Sequence, residues 1–95
     1  MHITSRKALR LFWEQYPDSR LALVRWYKMM QNTEFQNLSQ LRAALPTADK
    51  AGDLIVFNIG GNKYRLITSI HFNRGKVYVR HVLTHQEYDR GAWKR

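Results

Sequence analysis

Apolar residues recur at helical spacing in the first half of this chain and at alternating spacing in the second. Leu9, Phe12, Trp13 and Tyr16 stand at i, i+3, i+4 and i+7, one stripe of a helix. Thr4 or Ser5 can cap its start by accepting from free helix N–H groups. Pro17 ends it, because the residue before a proline avoids the α region. Asp18 is a second cap candidate, and a helix is predicted over 19–31. Its stripe takes Leu21, Val24, Tyr27 or Lys28, and Met30 or Gln31, widened by Leu23 and Trp26. The short proline turn makes the pair a helical hairpin. Residues 32–37 are a polar linker. Leu38, Leu41, Arg42 and Leu45 predict a short third helix, with Asn37 or Ser39 as cap and Pro46 as terminator. Residues 47–53 read as a polar loop.

The period then changes. Residues 54–59 are an apolar run that stops at Gly60-Gly61-Asn62, a turn signal. Residues 63–72 follow, then Asn73-Arg74-Gly75, another turn. Residues 76–84 are rich in β-branched and aromatic side chains. Successive strand side chains face opposite ways. Tyr64, Leu66, Ile70 and Phe72 therefore share one face, and Lys63, Arg65, Ser69 and His71 the other, with Ile67 an apolar exception. In the third run Val77, Val79 and Leu83 share a face with His81, which is expected to be a packed core histidine. Tyr78, Arg80 and Thr84 point the opposite way. Helices followed by strands predict an α+β fold: one domain over 1–95, helices on one face of an antiparallel sheet, the other face open. No internal repeat or low-complexity segment interrupts it. Gly60-Gly61 precedes a strand rather than a helix, so it is not a nucleotide-binding glycine loop.

Charge is the strongest bulk signal. Sixteen Lys and Arg against seven Asp and Glu give +9 over 95 residues. Residues 63–95 hold eight basic residues and two acidic ones, so +6 of that charge lies in the last third. Such a field draws polyanions, and three Trp, five Tyr and four Phe supply stacking surfaces. Nucleic acid is the expected partner. The absence of cysteine excludes disulfides and thiolate zinc sites and fits a cytoplasmic protein. No apolar run approaches the ~20 residues of a membrane span, and residues 1–10 lack the apolar core of a signal peptide.

RNA cleavage without a metal needs a group to take the 2′-OH proton, a group to protonate the leaving 5′-oxygen, and cations on the phosphate. Arg65 and Arg80 suit the last task, since guanidinium binds phosphate oxygens in pairs and stays charged. His85 suits either proton task. Tyr88 lies three residues on. If that segment is helical the two share a side, and Tyr88 is then an acid, a base or a stacking platform. Asp89 or Glu87 can orient His85. Lys63 adds a cation with the parity of Arg65. Whether these groups meet depends on hairpin register, which the turn leaves open. His71, His81 and His85 do not fall into ligand spacing with a carboxylate, so no metal and no cofactor are expected. Arg74, Lys76, Lys94 and Arg95 are further expected RNA contacts.

Several blocks resemble one family. Met1-His2-Ile3-Thr4, residues 57–66 (FNIGGNKYRL) and residues 78–89 (YVRHVLTHQEYD) look like the HigB toxins of bacterial type II toxin–antitoxin systems, over nearly the whole chain. HigB toxins in turn resemble the RelE superfamily. The resemblance implies a RelE-like α+β fold with helices on a twisted antiparallel sheet, and mRNA endonuclease (mRNA interferase) activity in that sheet's cleft. It implies a role in cleavage for Arg65 and Tyr88, and another catalytic basic residue at His85. A lysine pair before the sheet in some RelE proteins is only partly represented, by Lys50. The implied partners are mRNA, in many members on the ribosome, and a HigA-like helix-turn-helix antitoxin. The rival expectation is a basic RNA- or ribosome-binding module without catalysis; a third reading, which coexists with the toxin, is an interaction domain whose basic cleft receives an acidic or amphipathic antitoxin segment.

Overall fold

Ser5 accepts from the Ala8 N–H at 3.3 Å and so starts α1, Arg6–Gln15, whose Leu9 and Phe12 are buried. The computed structural model describes residues 1–94; Arg95, one of the expected RNA contacts, lies outside them. After a 3-10 turn at Pro17–Ser19 comes α2, Arg20–Asn32. Asp18 does not cap it, because its carboxylate is taken by Lys63 and Tyr64. The buried stripe of α2 is Leu23, Trp26 and Met30, and Leu21 is 64% exposed. The expected stripe is thus rotated. Both sets have helical spacing, and the one carrying Trp26 buries more apolar area. Asn37 accepts from the Gln40 N–H at 2.9 Å and caps α3, Leu38–Ala44.

The three predicted strands are present as β3 (Leu54–Ile59), β4 (Tyr64–His71) and β5 (Lys76–Thr84). Two short ones extend the sheet. β1, His2–Thr4, pairs in parallel with β5, and β2, Asp49–Ala51, pairs with β3, giving the order β1-β5-β4-β3-β2. The α+β class stands, and the sheet is mixed rather than wholly antiparallel. Three residues carry too little alternation to announce a strand, which is why 47–53 reads as loop. The Met1 ammonium donates to the Met30 and Gln31 carbonyls and pairs with Glu34 at 3.1 Å, fastening β1 to the end of α2.

A β-bulge changes the faces of β5. Ile67 pairs with His81 but Thr68 pairs with Val79, so Arg80 is the extra residue. Parity flips beyond it. Val77 and Val79 face the helices, as does Val82, whereas His81 and Leu83 turn to the opposite face. His81 is therefore exposed and is not the packed core histidine that strict alternation predicts.

The main core lies between the helices and the sheet, around Leu9, Leu23, Phe57, Leu66 and Val77. The other face is not wholly open. Val56, Ile67 and Trp93 form a second cluster there, edged by Leu54, Leu83 and Tyr88. Trp93→Ala should cost about 2–4 kcal/mol, within or just below the range for large-to-small changes in cores. A urea titration measures it; a loss under about 1 kcal/mol would mean that the indole is not part of a core.

Candidate active site

Hairpin register brings the start of β4 beside the end of β5. Tyr64 pairs with Thr84 and Arg65 with Leu83. Thr84 then caps α4, His85–Arg90, through a capping box. Its hydroxyl accepts from the Glu87 N–H at 3.2 Å, and the Glu87 carboxylate accepts from the Thr84 N–H at 3.0 Å. The His85 N–H donates to the Lys63 carbonyl at 2.9 Å, which ties the first turn of α4 to the strand carrying Arg65. Gly91 stops the helix at φ 72°, a left-handed conformation that glycine adopts without strain.

This local structure sorts the expected proton-transfer groups. Glu87 is a cap and does not orient His85. Asp89 does: its Oδ2 lies 2.8 Å from His85 Nδ1, one helical turn away. With Nδ1–H donating to that carboxylate, Nε2 is the ring nitrogen left to meet a substrate. Tyr88, on the same side of α4, lies over the Arg65 guanidinium at 5.4 Å. Its other contact is Trp93, stacked at 5.1 Å with ring planes 13° apart. Arg65 Nη1 donates to the Asn62 and Tyr64 carbonyls, both at 3.1 Å. One edge of the guanidinium is thus fixed by backbone and ring. Among the described hydrogen bonds Nη2 and Nε are unengaged, which leaves the fork for a phosphate.

The other expected site residues are scattered. Arg80 leans over the Tyr78 ring at 5.8 Å, on the side away from Arg65, so the two guanidiniums are not neighbours. Lys63 pairs with Asp18 at 3.3 Å. Lys50 sits in edge strand β2 opposite Ile55, on the helix-covered side of the sheet. Lys94 lies over the Trp93 ring at 5.6 Å, close to the Tyr88 stack. Arg74 and Lys76 are at the opposite end of the β4–β5 hairpin, about 20 Å from Arg65 at 3.3 Å per strand residue. Among the described residues no three of His, Asp and Glu converge as a metal site would require.

Two supports of the corner escape a reading of spacing alone. Trp93 looks like one aromatic in a basic tail, yet its Nε1 donates to the Tyr88 carbonyl at 3.0 Å and its ring backs the Tyr88 ring. The other is Asp18, 46 residues from Tyr64 along the chain, which accepts from the Tyr64 hydroxyl at 2.6 Å. That hydrogen bond, more than the Lys63 charge, holds the Asp18 carboxyl below its usual 3.8. In return the carboxylate pushes the Tyr64 hydroxyl from 10.0 up to about 12. A lowered acid stabilises the fold above its unfolded value and loses that contribution as pH falls through the folded one. A raised tyrosine contributes below 10.0 and loses it as pH climbs to about 12. Tyr64→Phe should therefore lower Tm across the middle of the pH range, with the gap closing below 3.8 and between 10.0 and about 12. Thermal melts in a pH series measure it; a gap constant with pH would contradict the coupling.

Helices behind a mixed sheet, with an arginine and a carboxylate-oriented histidine at one end of its front, make a small basic α+β domain consistent with the RelE-like toxin class. The model of the HigB toxin family, described as the RelE-like toxic component of a toxin–antitoxin system, matches residues 19–91, and the chain belongs to that family. It is 36% identical over 92 residues to the mRNA interferase toxin HigB of Escherichia coli (strain K12), covering 94% of this chain and 88% of the relative. It is 36% identical to the mRNA interferase HigB of Shigella flexneri over the same shares. The mRNA interferase HigB of Escherichia coli O6:H1 (strain CFT073) is 32% identical over 93 residues, covering 95% of this chain and 90% of that protein.

Proposed function

We propose that this protein is an endoribonuclease, the toxin of a toxin–antitoxin pair, which stops translation by cutting mRNA. The observation that carries the reading is that α4 sets Tyr88 over the Arg65 guanidinium and, one turn earlier, carries a His85 aligned by Asp89. Arg65 binds the non-bridging oxygens of the scissile phosphate and stabilises the charge that grows on them. The 2′-OH attacks the phosphorus, and the 5′-oxygen leaves. His85 Nε2 and the Tyr88 hydroxyl handle the two protons, one taken from the nucleophile and one given to the leaving group. The products are a 2′,3′-cyclic phosphate, or the 3′-phosphate from its hydrolysis, and a 5′-hydroxyl. No metal takes part. Lys94, over the Trp93 ring that backs Tyr88, holds the RNA backbone beside the cut.

The substrate is mRNA held on the ribosome, the protein acts in the cytoplasm, and its partner is a HigA-like helix-turn-helix antitoxin. Among the described residues no helix is long and apolar enough to cross a membrane. The test is cleavage of a defined mRNA in EDTA, with and without translating ribosomes. Cuts that need ribosomes support the whole reading. Cuts in free mRNA remove the ribosome from it. RNA binding with no cuts in either setting would replace it with a binding module.

A further inference from the structure

The outer half of the sheet, beyond the reach of Trp93, carries a second cluster that the cutting corner does not use. Strand pairing puts His71, Lys76 and His2 in one row across β4, β5 and β1, and Ser69, Tyr78 and Thr4 in the next. Partners in a row share a face, and this one is turned away from the helices. His2, Thr4, His71, Lys76 and Arg80 are exposed, while Ser69 and Tyr78 are half-buried. The Tyr78 ring meets His71 edge-on at 5.4 Å and 88°, and Arg80 lies over it at 5.8 Å. Arg74 rims the patch from the turn between β4 and β5. The carboxylate that comes near, Glu34 beside Gly75, is already paired with the Met1 ammonium. A solvated face ordinarily mixes both signs. This one offers cations and flat rings.

We propose that this face is an RNA subsite that holds the substrate strand several nucleotides away from the cut. Its chemistry is that of a single-strand groove, with a ring for a base and cations for the phosphates beside it. The substrate is favoured as the occupant because the patch is cationic and lies on the same side of the sheet as the cutting corner, across the Ile67–Trp93 cluster. Arg65 and His71 stand six residues apart along β4, or about 20 Å, a span that an RNA strand of several nucleotides bridges. A strand fixed at the corner meets Tyr78 and Lys76 at no further cost of association, and affinity then rises with RNA length. The inference rests on the assignment of the Arg65 corner as the cutting site.

The test compares uncleavable 2′-O-methyl RNAs of about three and about twelve nucleotides, the longer within the range that single-strand grooves occupy. Fluorescence anisotropy gives Kd for the parent, Tyr78→Ala and Lys76→Glu, with circular dichroism reporting the fold. Both variants should weaken the long RNA about tenfold or more and leave the short one within about twofold. Lys76→Glu should also reduce the salt slope for the long RNA by about one. Lys76 is exposed, so that variant stands if Tyr78→Ala fails to fold. Equal losses at both lengths, no loss at either, or a loss seen only when ribosomes are present would overturn the subsite. Length-dependent loss in a protein that cuts no RNA would keep this groove and sink the proposed cleavage instead.

Discussion

Arg65→Ala is expected to slow mRNA cleavage about 10²–10³-fold, the usual cost of removing one donor aimed at transition-state charge. The side chain does not hold the core together: its guanidinium meets two carbonyls of the turn and the Tyr88 ring at the sheet surface. Far-ultraviolet circular dichroism and Tm should therefore stay near the parent's while kcat falls. Arg65→Lys separates charge from shape. An ammonium keeps the charge but cannot offer the planar fork, so the lysine variant should recover only part of the rate. Cleavage by Arg65→Ala within about threefold of the parent, far less than a lost donor costs, would remove Arg65 from the phosphate.

His85→Ala is expected to be as severe, about 10²–10⁴-fold for loss of a positioned proton-transfer group. It too should spare the fold, since α4 is capped by Thr84 and Glu87 rather than by the imidazole. Asp89 acts through His85, so Asp89→Asn, which can still accept from Nδ1–H, should cost much less than Asp89→Ala. That difference marks Asp89 as a positioning residue, where a purely structural role would move both variants alike. Full activity in His85→Ala, in the same mRNA cleavage assay, would pass the proton chemistry to Tyr88 and another group.

The fold was largely legible because its longer elements advertise their periods. Ser5, Asn37 and Pro17 bound helices as their chemistry requires, and β5 runs over the predicted residues 76–84. What escaped has specific causes. β1 and β2 are three residues each, below the length at which alternation is visible. The bulge at Arg80 depends on register between strands, so alternation along β5 placed His81 and Leu83 on the wrong face. Leu21 and Leu23 both satisfy a helical stripe, and only packing chooses between them. At the corner, residue type pointed to His85, Tyr88 and Arg65. The partners that position them were ambiguous or invisible. Asp89 and Glu87 were equal candidates until the capping box took Glu87. Trp93 returns to Tyr88 only because Gly91 reverses the chain, and Asp18 reaches Tyr64 across 46 residues. The resemblance to HigB toxins implied roles for Arg65 and Tyr88, and nothing in it placed the Tyr88 ring between Arg65 and Trp93.

The most direct measurement of the central claim is the chemistry of the cut ends. An mRNA fragment with a single 2′-O-methyl group at the cut nucleotide is compared with its unmodified twin in EDTA, with ribosomes present. Cleavage through the 2′-OH predicts a 2′,3′-cyclic phosphate or 3′-phosphate with a 5′-hydroxyl on the unmodified strand, and no cut at the methylated position. Cleavage of the methylated strand, or products bearing a 5′-phosphate and a 3′-hydroxyl, would contradict the roles given to Arg65, His85 and Tyr88.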